Sequence, residues 1–343
     1  MAGRPDPGQR MRLVKREGGK EGSFLAVPKG LKWLAAVQSR EGSWGSENKG
    51  ARTGMALLAF LGHYENQDSE EFGDNVIWGI RYLLSLNEAG SGQMATHSPA
   101  YETGIATYAL AEAYIQTRNH RPKIPGIKEA LEKSIKLIVD KQRPDGGWDL
   151  GYSTEFLQNS DTSLSVIQIK ALVFAKLTGL EFEGLDHAMK KAMANLLRVR
   201  SPNGTFGKRL PGDSDGQTSA AIFAMQLMQW WNSKLNSKLY RKEIQEGINF
   251  LQDKVYLGKM SDFDQYEWYY TTQACFHQGG TLWANWNKIF RDEVVAHQLL
   301  DGHWQDWSAD EAADPGSLDN QIMTTTLCLL MLETYYRYKS YKG

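Results

Sequence analysis

The chain is short of cysteine, shows no excess of either charge and has no long apolar run. Its 343 residues include two cysteines, Cys275 and Cys328, too few for a disulfide framework or a cysteine-rich zinc site. Lys and Arg number 39 against 40 Asp and Glu, a formal net charge of -1. No broad basic face is therefore expected to grip a nucleic-acid backbone, and no nucleic-acid partner is expected. No stretch reaches the ~20 apolar residues of a membrane-spanning helix. Alternation of the strand type is missing over any useful length. The N-terminal stretch MAGRPDPGQRMRLVKREGGK is polar and basic and lacks an apolar segment of the signal-peptide type, so a cytoplasmic location is expected. Against these absences stand 33 glycines, 11 tryptophans and 15 tyrosines, an excess that needs an architectural reason.

A repeat supplies it. GLKWLAAVQSREGSWG at 30–45, SIKLIVDKQRPDGGWD at 134–149 and EVVAHQLLDGHWQDW at 293–307 share one plan. Each is an amphipathic helix, a glutamine, a short spacer, then Gly and Trp. Looser copies lie at 79–93 and 192–207, while 247–263 keeps the helix and loses the turn. Between these units run six segments that open on small hydroxylated residues and continue apolar nearly all round. They start at Arg52-Thr53-Gly54, Glu102-Thr103-Gly104, Asp161-Thr162-Ser163, Gln217-Thr218-Ser219, Tyr270-Thr271-Thr272 and Thr324-Thr325-Thr326. The Thr and Ser residues are expected to be N-caps. A helix apolar on every side is one buried on several sides. Partner segments such as 127–142 and 185–198 carry charges at helical spacing and are expected to face water. Six outer and six inner helices thus alternate with a period of roughly fifty residues. With no polar capping repeat at either end, they predict a closed, all-α (α/α)6 toroid rather than an open solenoid. The expected organisation is a polar N-terminal arm at 1–23 and one toroid domain over 24–343.

The Gln-spacer-Gly-Trp units resemble the QW motifs of squalene cyclases and protein prenyltransferase β subunits. AVPKGLKWLAAVQSREGSWG, DTSLSVIQIKALVFAK, YEWYYTTQACFHQGG and WNKIFRDEVVAHQLLDGHW are similar to stand-alone, single-domain bacterial proteins of the prenyltransferase and squalene-oxidase repeat group. The resemblance implies a terpenoid-cyclase-like toroid whose central apolar cavity binds an isoprenoid or similar lipid, with a cyclase- or transferase-like reaction. Such a fold carries many chemistries, so the reacting groups are sought residue by residue. Protein farnesyltransferase β subunits hold zinc with Asp-Thr-Cys at an inner-helix start. The run that resembles it here is Asp161-Thr162-Ser163, with Ser163 in the thiolate position; no metal and no other cofactor is expected. Class II terpene cyclases resemble one another in an Asp-x-Asp-Asp acid motif. The matching stretch here is Gln158-Asn159-Ser160-Asp161, which keeps only the last acid.

In a toroid all inner helices run the same way, and their N-termini gather at one end of the cavity with their partial positive charges. Candidates are sought there. For acid catalysis they are Asp161 and a displaced pair, Asp213 and Asp215, in GDSDG; a carboxyl kept neutral in a dry pocket can protonate an alkene. For substrate binding they are His97, Tyr101 and Glu102 before the second inner helix, Tyr152 after the third turn, Gln217 at the fourth, and Tyr266, Trp268 and Tyr269 at the fifth. Aromatic faces can line an apolar chain or steady a cation. Structural readings stand beside these: Asp161 as an N-cap, GDSDG as a solvated turn, the aromatics as lid packing, and 308–320 as a solvated loop. Trp44, Trp148 and Trp304, with Gln38, Gln142 and Gln298, are expected to clasp neighbouring helices. The expected partner is an apolar small molecule bound by a monomer. Two alternatives stay open: a catalytically silent toroid that binds a protein or peptide, and a polysaccharide-active toroid, which would need paired carboxylates across a groove.

Overall fold

The computed structural model describes residues 6–120, 123–153, 160–231, 239–256, 264–307, 314 and 316–338. Gln158 and Asn159 of the acid-motif stretch, and most of the 308–320 loop, lie outside the described residues. Among the described residues there are thirteen α-helices and no strands. The helices are α1 (Pro7–Arg16), α2 (Glu21–Ala36), α3 (Lys49–Gly62), α4 (Gly73–Ala89), α5 (Pro99–Thr117), α6 (Ile127–Asp140), α7 (Thr162–Leu177), α8 (Leu185–Arg198), α9 (Asp215–Trp231), α10 (Arg241–Tyr256), α11 (Gln265–Gln278), α12 (Gly280–Ala296) and α13 (Leu318–Arg337).

Burial sorts them into two rings. Every residue of α3 from Gly50 to Gly62 is buried, as its all-round apolar sequence requires. In α6 the buried residues are Ile127, Ala130, Leu131, Ser134, Ile135 and Ile138, a single stripe at helical spacing. Helices α3, α5, α7, α9, α11 and α13 each pack on the next, and α13 packs back on α3, so the inner ring is closed. Helices α4, α6, α8, α10 and α12 each pack on the inner helix that neighbours them in sequence, and α2 packs on α13.

The turns between outer and inner helices repeat one set of bonds. The indole Nε1 of Trp44, Trp148 and Trp304 donates to the carbonyls of Leu34, Ile138 and Val294, each ten residues earlier, at 2.7, 2.8 and 2.6 Å. The backbone N–H of the same tryptophans donates to Thr53 Oγ1, Ser165 Oγ and Thr325 Oγ1. Met94 and Phe206, in the looser turns, donate likewise to Thr103 and Thr218. Thr53, Thr103, Thr218 and Thr325, expected as N-caps, therefore lie inside their helices and receive the turn instead, and Ser165 does the same in α7. The side chains that cap α7, α11 and α13 are Asp161, Asp264 and Ser317.

Gln38, Gln142 and Gln298 tie each turn to the next outer helix. Their Nε2 atoms donate to the turn glycine carbonyls and also to the carbonyls of Asn75, Ala188 and Ala26. The last bond joins the sixth turn to α2 and closes the outer ring. Gly302 makes that closure sterically possible. Its φ is +104, and a Cβ there would lie 2.4 Å from the Lys29 carbonyl oxygen, a conformation and an approach open to glycine alone.

Residues from Pro7 onward, expected to be an arm, form the helix α1. Asp6 caps it, and Val14 is fully buried. It packs on α2 and α13, and Arg10 Nη1 reaches the His63 carbonyl at the C-terminal end of α3, 3.0 Å away.

Candidate functional site

Side chains of five inner helices surround a central chamber of about 130 Å³. Met55 and Leu58 of α3 line it, with Tyr101, Ile105 and Tyr108 of α5 and Ile167 and Lys170 of α7. The wall is completed by Gln265, Tyr266, Tyr269 and Tyr270 of α11, and by Met323, Leu327 and Leu330 of α13. Tyr101, Ile105, Tyr266, Met323 and Leu327 are half-buried and mark the mouth. Leu58, Tyr108, Tyr269, Tyr270 and Leu330 are at most 5% exposed and form the floor. An apolar cavity of ~150 Å³ takes up one benzene ring, so this chamber has room for one ring or a branched five-carbon unit.

Lys170 is the one charged residue in that wall among the described residues. It sits about two turns into α7 and is 7% exposed. Its Nζ donates to the Tyr269 hydroxyl at 2.9 Å. It lies 4.8 Å from the Tyr269 ring centre, 5.2 Å from Tyr108, 5.3 Å from Tyr270 and 6.0 Å from Phe223. Burial brings its ammonium down to about 8; Arg337 pushes the same way, while Tyr338 and Glu112 oppose. The aromatic faces supply attraction that keeps a cation tolerable in a space with little water.

A buried ion cluster lies beneath the floor. Arg337 donates to the Leu58 carbonyl at 2.8 Å, to Glu333 at 3.3 Å, to the Tyr108 hydroxyl at 3.1 Å and to the Glu112 carboxylate. None of the Arg337, Glu112 and Glu333 side chains is more than 1% exposed. Tyr108 thus touches the chamber with its ring and the cluster with its hydroxyl.

Of the expected site residues, Tyr101, Tyr266 and Tyr269 line the chamber. Trp268, adjacent in sequence, points away and packs edge-on against Trp286 of α12, with ring centres 5.2 Å apart. Glu102 is fully buried and accepts the backbone N–H groups of Gly50, Thr96, His97 and Ser98; its oxygens are committed to holding the α3 and α5 starts together. His97 belongs to the same loop, its Nδ1 accepting from the Asn48 N–H at 3.3 Å. Tyr152 is buried and donates to Gln168, which in turn holds the Ala100 carbonyl. Gln217 pairs with Ser163 at 2.8 Å beside the mouth.

None of the candidate acids lines the chamber. Asp161 caps α7 by accepting from Ser163 and Leu164. Asp213 is bonded to Asn203 and Thr205, which hold its carboxyl below the usual range. Asp215 pairs with Lys254 at 3.0 Å. Glu267, close by, is raised to about 7 by burial and by Asp215 and Asp264, against the pull of Lys254. It too lies outside the lining. Burial also pushes the Cys275 and Cys328 thiols up. Among the described residues no three His, Cys, Asp or Glu side chains form a metal site, and no helix is long and apolar enough to cross a membrane.

Sequence reasoning passed over Lys170, Tyr108 and the Arg337 cluster. The signal was present as charge inside apolar helices: Lys170 in LSVIQIKALVFA, Glu112 in IATYALAEAY, and Glu333 with Arg337 in LCLLMLETYYRY. A charge has no place on a helix buried on every side unless it is paired or used.

No known sequence family and no curated protein matches the chain. Solved structures do. A single-substitution variant of the type II terpene cyclase MstE from Scytonema, in complex with the substrate geranylgeranyl dihydroxybenzoate, is similar over 92% of this chain and 98% of its own, with 8% identity and a TM-score of 0.63. An inactive variant of the α-1,6-mannanase GH76A of Salegentibacter sp. HEL1_6, in complex with α-1,6-mannotetrose, is similar over 92% and 100%, with 11% identity and a TM-score of 0.66. A protein from Actinoplanes matches over 91% and 99%, with 12% identity and a TM-score of 0.56. The fold is a terpenoid-cyclase-like (α/α)6 toroid. A cyclase and a mannanase share it, so the likeness leaves the chemistry open.

Proposed function

We propose that the central chamber binds an apolar ligand of the isoprenoid type, with one branched unit inside and the rest of the molecule at the mouth. The observation that carries this reading is the wall itself: aliphatic and aromatic side chains from five inner helices, converging on one buried amine. The cyclase with the same fold holds a geranylgeranyl-bearing substrate, which supports an isoprenoid over other apolar chains. A chamber of about 130 Å³ takes a five-carbon unit, whose burial contributes about 4 kcal/mol at ~0.8 kcal/mol per carbon. Alone that corresponds to about millimolar affinity, so the mouth and the floor have to supply the rest.

The reading is one of binding. Alkene protonation needs an acid against the ligand, and no carboxyl among the described residues lines this chamber. The mannanase variant is inactive with two adjacent aspartates replaced. This chain has no two adjacent aspartates, and half of the chamber-lining residues are aliphatic or methionine, which favours an apolar chain. The test is native mass spectrometry of the purified protein, followed by solvent extraction and titration with geraniol and farnesol. A retained isoprenoid, or saturable binding weakened by Tyr101→Ala, supports the reading. A protein that carries no lipid and binds neither alcohol rejects it and favours a scaffold for a protein partner.

A further inference from the structure

We propose that Lys170 condenses with the carbonyl carbon of an apolar aldehyde held in the chamber, so that the ligand is bound as an imine. This rests on the reading of the chamber as an apolar binding site and adds the functional group carried at the ligand's buried end.

Three features lead there. The first is position. Lys170 Nζ is the one charged group in the wall among the described residues, and apolar side chains make up most of the rest. A ligand whose apolar body fills the chamber brings its buried end to that nitrogen. The second is the partner at 2.9 Å, the Tyr269 hydroxyl, which can relay a proton. The third is the surrounding aromatic faces of Tyr269, Tyr108, Tyr270 and Phe223. Ring faces are negative and attract cations. A protonated imine keeps the positive charge where the ammonium had it. A carboxylate at the same place would pair with the ammonium form but meet several negative faces, so an aldehyde is the better match.

The step balances without a co-reactant. The Nζ lone pair attacks the carbonyl carbon, and one proton passes from nitrogen to oxygen to give a carbinolamine. The proton first given up by the ammonium returns through the Tyr269 hydroxyl to the carbinolamine oxygen, which leaves as water while the C=N bond forms; the nitrogen keeps its remaining hydrogen as the protonated imine, and nothing is oxidised or reduced. The nitrogen must first be unprotonated. Burial, with Arg337 on α13, favours that form, and Glu112 on α5 and Tyr338 after α13 oppose it; Tyr108, Tyr269 and Tyr270 also face the nitrogen. With its ammonium at about 8, Lys170 holds roughly two hundred times more free amine near pH 7.5 than a lysine at the ordinary value.

Geranial and geraniol, which differ in the carbonyl alone, make the test. The intact protein is incubated with geranial and sodium cyanoborohydride near neutral pH, and the adduct is located by peptide mapping. One added mass is expected, that of geranial less one oxygen, on the peptide bearing Lys170, with geraniol competing. Lys170→Met, checked for fold by its circular dichroism, is expected to lose the adduct at least tenfold. Adducts spread over surface lysines in wild type overturn the proposal whether or not the variant folds. Geraniol binding without a geranial adduct overturns it while the apolar chamber stands. Failure of both compounds to bind removes the chamber reading together with the imine.

Discussion

Trp148 and Lys170 belong to the same repeat, and both are buried, yet they sit in opposite kinds of surroundings. Around Trp148 each polar atom has a local partner: the indole N–H goes to Ile138 and the backbone N–H to Ser165. The same bonds recur at Trp44 and Trp304. Among the described residues Lys170 has no charged counterpart in the chamber wall from any other repeat. Its nitrogen depends on a tyrosine two inner helices further along the chain and on ring faces. What is repeated around the rim holds the ring together. What occurs once, at the centre, costs stability and is where a function is to be sought.

Substitutions that set one region against the other sharpen the contrast, and the ion cluster under the floor gives the largest expected effect. Arg337→Met strips the guanidinium from Glu112 and Glu333 and is expected to destabilise by about 3–5 kcal/mol, read as a lowered urea midpoint. An unchanged midpoint would mean that the buried cluster is not held as charges.

Lys170 comes next, through pH. In the native state it releases its proton at about 8, in the unfolded chain at the usual 10.5. Between these values the unfolded state binds more protons, so native stability rises with pH. Wild type is expected to gain up to about 3 kcal/mol over that window relative to Lys170→Met. A flat difference would place the ammonium in a wetter site.

At the rim, Gly302→Ala forces a methyl against the Lys29 carbonyl at positive φ. A loss of about 1–3 kcal/mol is expected, with hydrogen exchange rising first in α2 and α12 if the closure is what suffers. Tyr101→Ala, at the half-buried mouth, should change stability least while weakening geraniol binding several-fold. Trp268→Ala is the control that could break the distinction. It removes a residue packed on Trp286 and should cost about 3–5 kcal/mol with geraniol affinity kept in the molecules that remain folded.

Much of the ring was legible in the chain. Inner helices announced themselves by apolar residues on every side, outer ones by a single stripe, and the turn tryptophans by their spacing from the preceding glutamine. Legibility stopped at the hydroxylated residues. Thr53 and Thr325 looked like caps because they stand where apolar helices begin; the bonds they make are to turns that precede them by nine and twenty-one residues. It stopped also at the cluster Tyr266 to Tyr270. Neighbouring residues on a helix face about 100° apart, so Tyr269 enters the chamber and Trp268 turns to α12, although composition treats them alike.

The amino-acid sequence alone determined the helix pairs, their order and the closing of the ring, because periodicity and turn chemistry act over a few residues. Only the tertiary structure decided which side chains meet at the centre. Lys170, Tyr108, Tyr269 and Arg337 lie on four helices far apart in the chain, and their shared environment, buried and lined by ring faces, exists only once those helices have packed around a common axis.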